Sequence, residues 1–283
     1  MAADELLAAE SVRQGRALVR LYGWTEPTVS LGGFQRLADA RQSAAIAGLP
    51  LVRRPSGGGA IVHGTDLTYA VAVPRGHPWG GDPQVLYDAF HNALAGLLQE
   101  HGIAARLHPG RDRGAGDETK LLCFDRRARG DLVIEAEGQP DGHKILGSAQ
   151  RRLQAAVLQH GSLLERSLPH LPDDARHPGL YDHGPPPTLG AGRSLVEAWL
   201  TRVAGIAAGS AMSQGTRPPW PVSNFASERN PGIFPSPQSS QPAAADEERS
   251  LLIFREESFI DSHAHEIEGV ADRFRSAAWL ARR

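Results

Sequence analysis

Leu86, Phe90, Leu94, Leu97 and Leu98 recur at helical spacing, with Asp82-Pro83 in front as N-cap and first helical residue and Gly102 behind as a stop. Val196, Trp199, Leu200, Val203 and Ile206 mark a second helix, and Ile267, Val270, Ala271, Phe274 and Ala278 a third at the C-terminus. Between them run strand-like stretches at 29–31, 51–52, 67–74, 132–135, 144–147 and 156–158. The last three follow one another through GQPDG and QRRLQ, connections too short for the crossover that parallel strands need. The pattern therefore predicts an α/β fold of the α+β type. It is a single domain with a mixed, largely antiparallel sheet flanked by helices, and not a Rossmann fold.

Composition narrows the class. The 283 residues carry 30 Lys+Arg against 32 Asp+Glu, a net charge of −2. That balance lacks the strongly basic surface of a general nucleic-acid binder, so no nucleic-acid partner is expected. No run approaches the roughly 18 apolar residues of a membrane span. The opening MAADELLAAE lacks the basic-then-apolar order of a signal peptide, so a cytoplasmic protein with no membrane partner is expected. The single cysteine excludes an internal disulfide and sites built on several thiolates. Glycine and proline are plentiful but uneven. Seven prolines and five serines fall between 218 and 242, and the stretch 211–249 reads as a linker or long loop. Further loops are expected at 109–120 and 170–192.

The most unusual local text is Arg53-Arg54-Pro55-Ser56-Gly57-Gly58-Gly59-Ala60. Three glycines after a strand let the backbone approach a ligand closely and turn N–H groups toward an anion. Two arginines add bidentate donors. No Gly-Lys-Ser/Thr follows, so this is not a P-loop, and a plain flexible turn is the competing reading. The second text is Lys144-Ile145-Leu146-Gly147-Ser148-Ala149-Gln150, followed by Gln159-His160-Gly161-Ser162. Lys144 and Lys120 are the only lysines, so 28 of the 30 basic residues are arginine. An ammonium retained in such a chain is a candidate for chemistry, against a surface hairpin lysine. His63 and His160 are candidates to line a site, His160 by orienting the Lys144 loop, against a structural histidine in a turn. His263-Ala264-His265-Glu266 has metal-like spacing but no further clustered ligand, so no metal site is expected. Leu31, Ile61, Val71 and Val73 are core positions by default, and a candidate border for an acyl tunnel.

Taken together, these texts resemble the biotin/lipoate protein ligase catalytic family, in its lipoate branch. The resemblance runs through Arg53-Arg54, Ser56 to Ala60, His63 and Asp66-Leu67-Thr68-Tyr69. It continues at Cys123-Phe124, Gly130-Asp131, Lys144 with Gly147-Ser148-Ala149-Gln150, and Gln159-His160-Gly161. Arg20-Leu21-Tyr22 with Trp24, then Ser30-Leu31-Gly32 and Gln35, resemble the family's opening; Arg273-Phe274 with Trp279 resembles its closing helix. The resemblance implies a catalytic domain over 1–210, the linker 211–249, and a helical segment 250–283 completing the domain.

What it implies chemically is acyl transfer to a lysine of a lipoyl-carrier domain. Cys123 stands where cysteine-dependent octanoyltransferases carry their nucleophile, ahead of the Asp131 strand, and Asp66-Leu67-Thr68-Tyr69 also resembles that branch. Gly59 stands where many such transferases have an arginine, and a third glycine resembles the ligases. In the transferase reading Cys123 and Lys144 are catalytic. Arg54, Ser56, Gly57, Gly58, Gly59, Ala60, His63, Gly147, Ser148, Ala149, His160 and Gly161 then bind substrate. No cofactor is needed, and the partners are acyl carrier protein and a lipoyl domain or glycine cleavage H protein. The alternatives are an ATP- and Mg-dependent lipoate–protein ligase, in which Cys123 is incidental, and a non-catalytic binding relative. A free thiol is a few per cent thiolate at neutral pH, so a nearby cation such as Lys144 would favour the nucleophile. A lone cysteine is otherwise a small buried hydrophobe.

Overall fold

The computed structural model describes residues 1–110, 120–169, 171–173, 176–187, 189, 194–213 and 252–254. In its large sheet β5 (Asp66–Pro74) pairs antiparallel with β1 (Leu18–Tyr22) on one side and β9 (Ala156–Leu164) on the other. β8 (Gln139–Arg152), β7 (Leu132–Ala136) and β6 (Ala105–Leu107) continue the sheet beyond β9. β10 (Leu252–Phe254) pairs parallel with β1 at the far edge, giving seven strands in the order β10-β1-β5-β9-β8-β7-β6. A second sheet has the order β3-β2-β4, from β2 (Thr28–Leu31), β3 (Leu51–Arg53) and β4 (Ile61–His63).

Strand alternation explains why β5 is buried on both faces. Tyr69, Val71 and Val73 project into a core with Trp79 of α3 (Pro78–Gly81), Phe90 and Leu94 of α4 (Pro83–Glu100) and Trp199, Leu200 and Val203 of α5 (Leu195–Ser213). Ala70 and Ala72 face the other way, and their small side chains let α1 (Ala2–Gln14) lie close over the sheet through Leu7 and Ala8. The second sheet has its own apolar side, Val29, Leu31 and Val62, packed with Leu37 and Ala40 of α2 (Leu37–Gln42).

The expected mixed, largely antiparallel sheet flanked by helices is what forms, and Asp82 caps α4 by accepting from the Gln84 N–H at 2.9 Å. α5 begins with a capping box, Ser194 and Glu197 each accepting from the other's N–H at 3.2 and 2.8 Å. It continues three residues past the expected start of the linker at 211. The expected helix at 267–278, with Arg273, Phe274 and Trp279, lies outside the described residues, as does the histidine text at 263–266. Neither α1 nor β1 is among the elements that the hydrophobic pattern predicts. The helix has a low amphipathic contrast because it is rich in alanine, and the strand is too short to stand out.

Candidate functional site

Cys123 opens a short 3₁₀ turn, Cys123–Asp125, and is partly exposed. Two backbone hydrogen bonds tie this turn to the glycine-rich loop: Ala60 N–H to Leu121 O at 2.9 Å and Cys123 N–H to Ala60 O at 2.7 Å. Gly59 packs against the same chain. A Cβ built there would lie 2.9 Å from Cys123 Cα and from its N, so any larger residue would displace the cysteine. This is a physical reason for the third glycine. In this chain the place is filled by the backbone of Cys123.

Lys144 reaches the cysteine from β8. Its Nζ lies 3.5 Å from Cys123 Sγ, 3.4 Å from Cys123 O and 2.8 Å from Asp131 Oδ2. The pairing of β7 with β8 slips between Leu132 and Val133, partners of Leu146 and Lys144, an irregularity of the bulge kind that re-aims side chains. Gly147 supplies the room: a Cβ there would meet Lys144 Cε at 2.4 Å and Nζ at 2.7 Å. Lys144 is only 3% exposed. Burial by itself would strip its charge, but the Asp131 carboxylate, with Cys123, reverses that and raises its pKa above the ordinary lysine value. Asp131 is fixed in turn by the Ala128 N–H at 2.7 Å and the Tyr87 hydroxyl at 3.2 Å.

Arg54 is the second buried cation. Its Nη1 donates to Ser30 O at 2.8 Å and to Ser30 Oγ at 3.1 Å; its Nη2 donates to Gly57 O at 2.8 Å and Gly59 O at 2.6 Å. Among the described residues no carboxylate pairs with it. Burial lowers its pKa to about 10, opposed by Cys123 and Tyr22, so it remains charged at neutral pH. Gly58 has φ +89°, in the region that favours glycine, and a Cβ there would lie 3.0 Å from Arg54 Nη2.

The remaining expected site residues divide. Ala149 lies next to the turn, 3.8 Å from a Cβ placed on Gly58. Ser148 Oγ is engaged by Tyr69 OH and His91 Nε2, both at 2.7 Å, and Gly161 gives the Tyr69 ring its place against β9. His63, stacked under Trp24 at 4.1 Å, bridges Ser30 Oγ (2.7 Å) and Asp66 Oδ2 (2.8 Å). Burial would raise the Asp66 carboxyl, but the pairing with His63 and hydrogen bonds from Ser162 and Thr68 hold it below its ordinary value. His160 does not orient the Lys144 loop as expected. It bonds Ser56 Oγ and Asp4 Oδ2, both at 3.1 Å, because its strand position points it toward α1. Leu31 belongs to the core of the small sheet, and Val71 and Val73 to the core under α4 and α5.

A cavity of about 30 Å³ lies beside the cysteine turn, lined by Ala60, Val62, Leu122, Phe124, Leu164 and Leu168 among others. Ser30, Asp4, Tyr87 and His91 also contribute, with no sequence expectation attached to their side chains. Ser30 and Asp4 become partners of Arg54 and His160 only through strand and helix packing, and no local signal marks them. Among the described residues no group of three or more His, Cys, Asp or Glu is placed to hold a metal ion, and no helix is long and apolar enough to cross a membrane.

Fold and site define an α/β protein whose cysteine–lysine pair is set between a large antiparallel sheet and a glycine-rich turn. The chain belongs to the lipoyl protein ligase A/B catalytic domain family, whose model matches residues 1–169. An octanoyltransferase LipM of Moorella thermoacetica is 37% identical over 169 residues, covering 58% of this chain and 59% of that protein. The LipM of Bacillus subtilis is 34% identical over 174 residues, covering 58% and 60%. The chain thus aligns with about three-fifths of the length of these curated relatives. In fold it is similar to lipoate-protein ligase A bound with ATP (TM-score 0.53, 17% identity, 99% of this chain and 92% of that one). It is also similar to P. falciparum LipL1 in complex with lipoate (TM-score 0.55, 12% identity, 100% and 70%).

Proposed function

We propose that the chain is an acyltransferase of lipoyl assembly that moves an octanoyl group from acyl carrier protein to the lysine of a lipoyl domain or H protein. The observation that carries this reading is the 3.5 Å approach of the Lys144 ammonium to Cys123 Sγ, with the ammonium held charged by Asp131. The Cys123 sulfur attacks the carbonyl carbon of the donor thioester. The new S–C bond forms, the donor S–C bond breaks, and the carrier thiolate leaves and takes a proton. The acceptor lysine amine then attacks the Cys123 thioester; the amide N–C bond forms, the amine loses a proton, and the Cys123 thiolate returns. Each step exchanges one thioester for another or converts it to a more stable amide, so neither ATP nor Mg is required. Lys144 sits where negative charge develops, at sulfur and at the carbonyl oxygen, and Arg54 holds the turn that walls the site. The octanoyltransferase names of the relatives support this reading. So does the free, partly exposed state of the thiol. The catalytic domain in this reading runs at least to the end of α5 at Ser213, three residues beyond the expected boundary at 210.

The ligase reading draws on the fold neighbour bound with ATP, and there the glycine turn would take the adenylate. One assay separates the two: octanoyl-acyl carrier protein and apo lipoyl domain, without ATP. Transfer is expected with the wild-type chain, together with a Cys123 acyl adduct visible by intact mass. Cys123→Ala should abolish both, a loss of more than about 10³-fold. Transfer that persists in Cys123→Ala would overturn the nucleophile; strict dependence on ATP and free acid would establish the ligase instead.

A further inference from the structure

Asp4, His160 and Ser56 form a buried chain to which the transfer steps assign no role. His160 Nε2 lies 3.1 Å from Asp4 Oδ2 and its Nδ1 3.1 Å from Ser56 Oγ; the three residues are 0%, 6% and 0% exposed. They come from α1, β9 and the glycine-rich turn, so only the tertiary fold assembles them. The Asp4 carboxylate is anchored independently by Arg20 Nη1 at 2.6 Å and Tyr22 OH at 2.9 Å. Burial keeps the His160 ring neutral against the pull of Asp4. With Nε2–H on the carboxylate, Nδ1 is the acceptor and Ser56 donates its hydroxyl proton to it.

Ser56 is therefore held by its side chain, and its carbonyl also accepts the Gly33 N–H at 2.7 Å. The next carbonyls, of Gly57 and Gly59, are held by Arg54. Gly59 in turn abuts Cys123. A matching chain, Asp66–His63–Ser30, secures the other side of the same guanidinium. Ser56 is thus the point where α1 takes hold of the turn that positions the cysteine.

We infer that Asp4 is a positioning residue for the Cys123 site, acting through His160 and Ser56 on the glycine-rich turn. This rests on the reading of Cys123 as the acyl carrier, and the test separates the two. In the full chain, amide hydrogen exchange at residues 57–60 is measured beside kcat and KM for octanoyl transfer. Asp4→Asn and His160→Gln should each speed exchange of the turn amides about tenfold and lower kcat about tenfold, with KM for the acyl donor unchanged. The double variant should be no worse than the poorer single, because both cut one chain. Ser56→Ala, the mildest change, should show the same loss should Asp4→Asn fold poorly. Ser11→Ala removes a partly buried hydrogen bond at the far end of α1, from Ser11 Oγ to Arg16 O at 2.9 Å, and leaves the chain intact; it should lower Tm and leave turn exchange and kcat unchanged.

The inference is overturned by turn exchange unchanged in Asp4→Asn and Ser56→Ala, by faster exchange spread evenly through β5 and β9, or by losses that multiply in the double variant. Faster turn exchange in a chain without wild-type transfer would leave the positioning intact and remove the functional reading alone.

Discussion

Lys144 and Arg54 are both buried cations within reach of one turn, yet their surroundings have opposite consequences. Lys144 has a carboxylate at 2.8 Å, and the pairing outweighs burial and raises its pKa. Arg54 faces carbonyls and a hydroxyl, and burial prevails and lowers it. The lysine keeps a compact ammonium that reaches both the sulfur and the backbone oxygen of Cys123. The arginine spends its planar fork on the carbonyls of Ser30, Gly57 and Gly59. Burial alone thus does not identify a chemical group. A counter-charge plus an approach to a reactive atom, here the Cys123 sulfur, does.

The contrast can be broken most directly at Lys144. Lys144→Met should lower kcat for transfer about 10²- to 10³-fold, the loss typical of removing one charge-stabilising donor. It should also cost about 3 kcal/mol in urea unfolding, because Asp131 is left buried without its partner. A variant that is destabilised but fully active would reduce Lys144 to a structural ion pair.

Arg54→Lys keeps the charge and removes the fork. The expectation is a loss of about 2 kcal/mol from carbonyls left without donors, with kcat down only about tenfold. A loss of transfer as deep as that of Lys144→Met, with Tm unchanged, would place Arg54 at the reacting atoms and erase the distinction.

The last contrast is read in the pH dependence of stability and concerns His91, which has burial but only a carbonyl and a hydroxyl on its ring nitrogens, Gly130 O and Ser148 Oγ. Burial, aided by Lys144, lowers its pKa to about 4. The unfolded ring takes up a proton near pH 6.5 and the folded ring only near 4. Between those values the unfolded state binds more protons, so stability falls as the pH drops from about 6.5 to 4. His177, lowered to about 3 by burial with Arg127 nearby, adds a second contribution of the same sign. A loss of up to about 3 kcal/mol is expected from His91, and His91→Gln should flatten that part of the urea-midpoint-versus-pH curve. An unchanged curve would mean that the ring titrates elsewhere or is solvated.

Several features were legible along the chain. The Asp82-Pro83 start and the Leu86 to Leu98 stripe are local, and the short connections before and after Lys144 force an antiparallel meander. The glycine text announced a close backbone approach, though not that Cys123 itself would make it. His160 shows where reading along the chain failed. Its neighbours in sequence point to the Lys144 strand, but alternation in β9 sends its ring to the face covered by α1. There Asp4, 156 residues away, completes its hydrogen bonding.

By itself the sequence determined the alternation and capping that make each element, the two glycines whose missing Cβ atoms leave room for Cys123 and Lys144, and the scarcity of lysine that singled Lys144 out. Those depend on residue type and short-range spacing. The tertiary structure alone decided which charges meet: Asp131 with Lys144, carbonyls with Arg54, Asp4 with His160. Electrostatic character depends on partners within a few ångströms and on exclusion of water, and both are set by how the sheets and α1 pack.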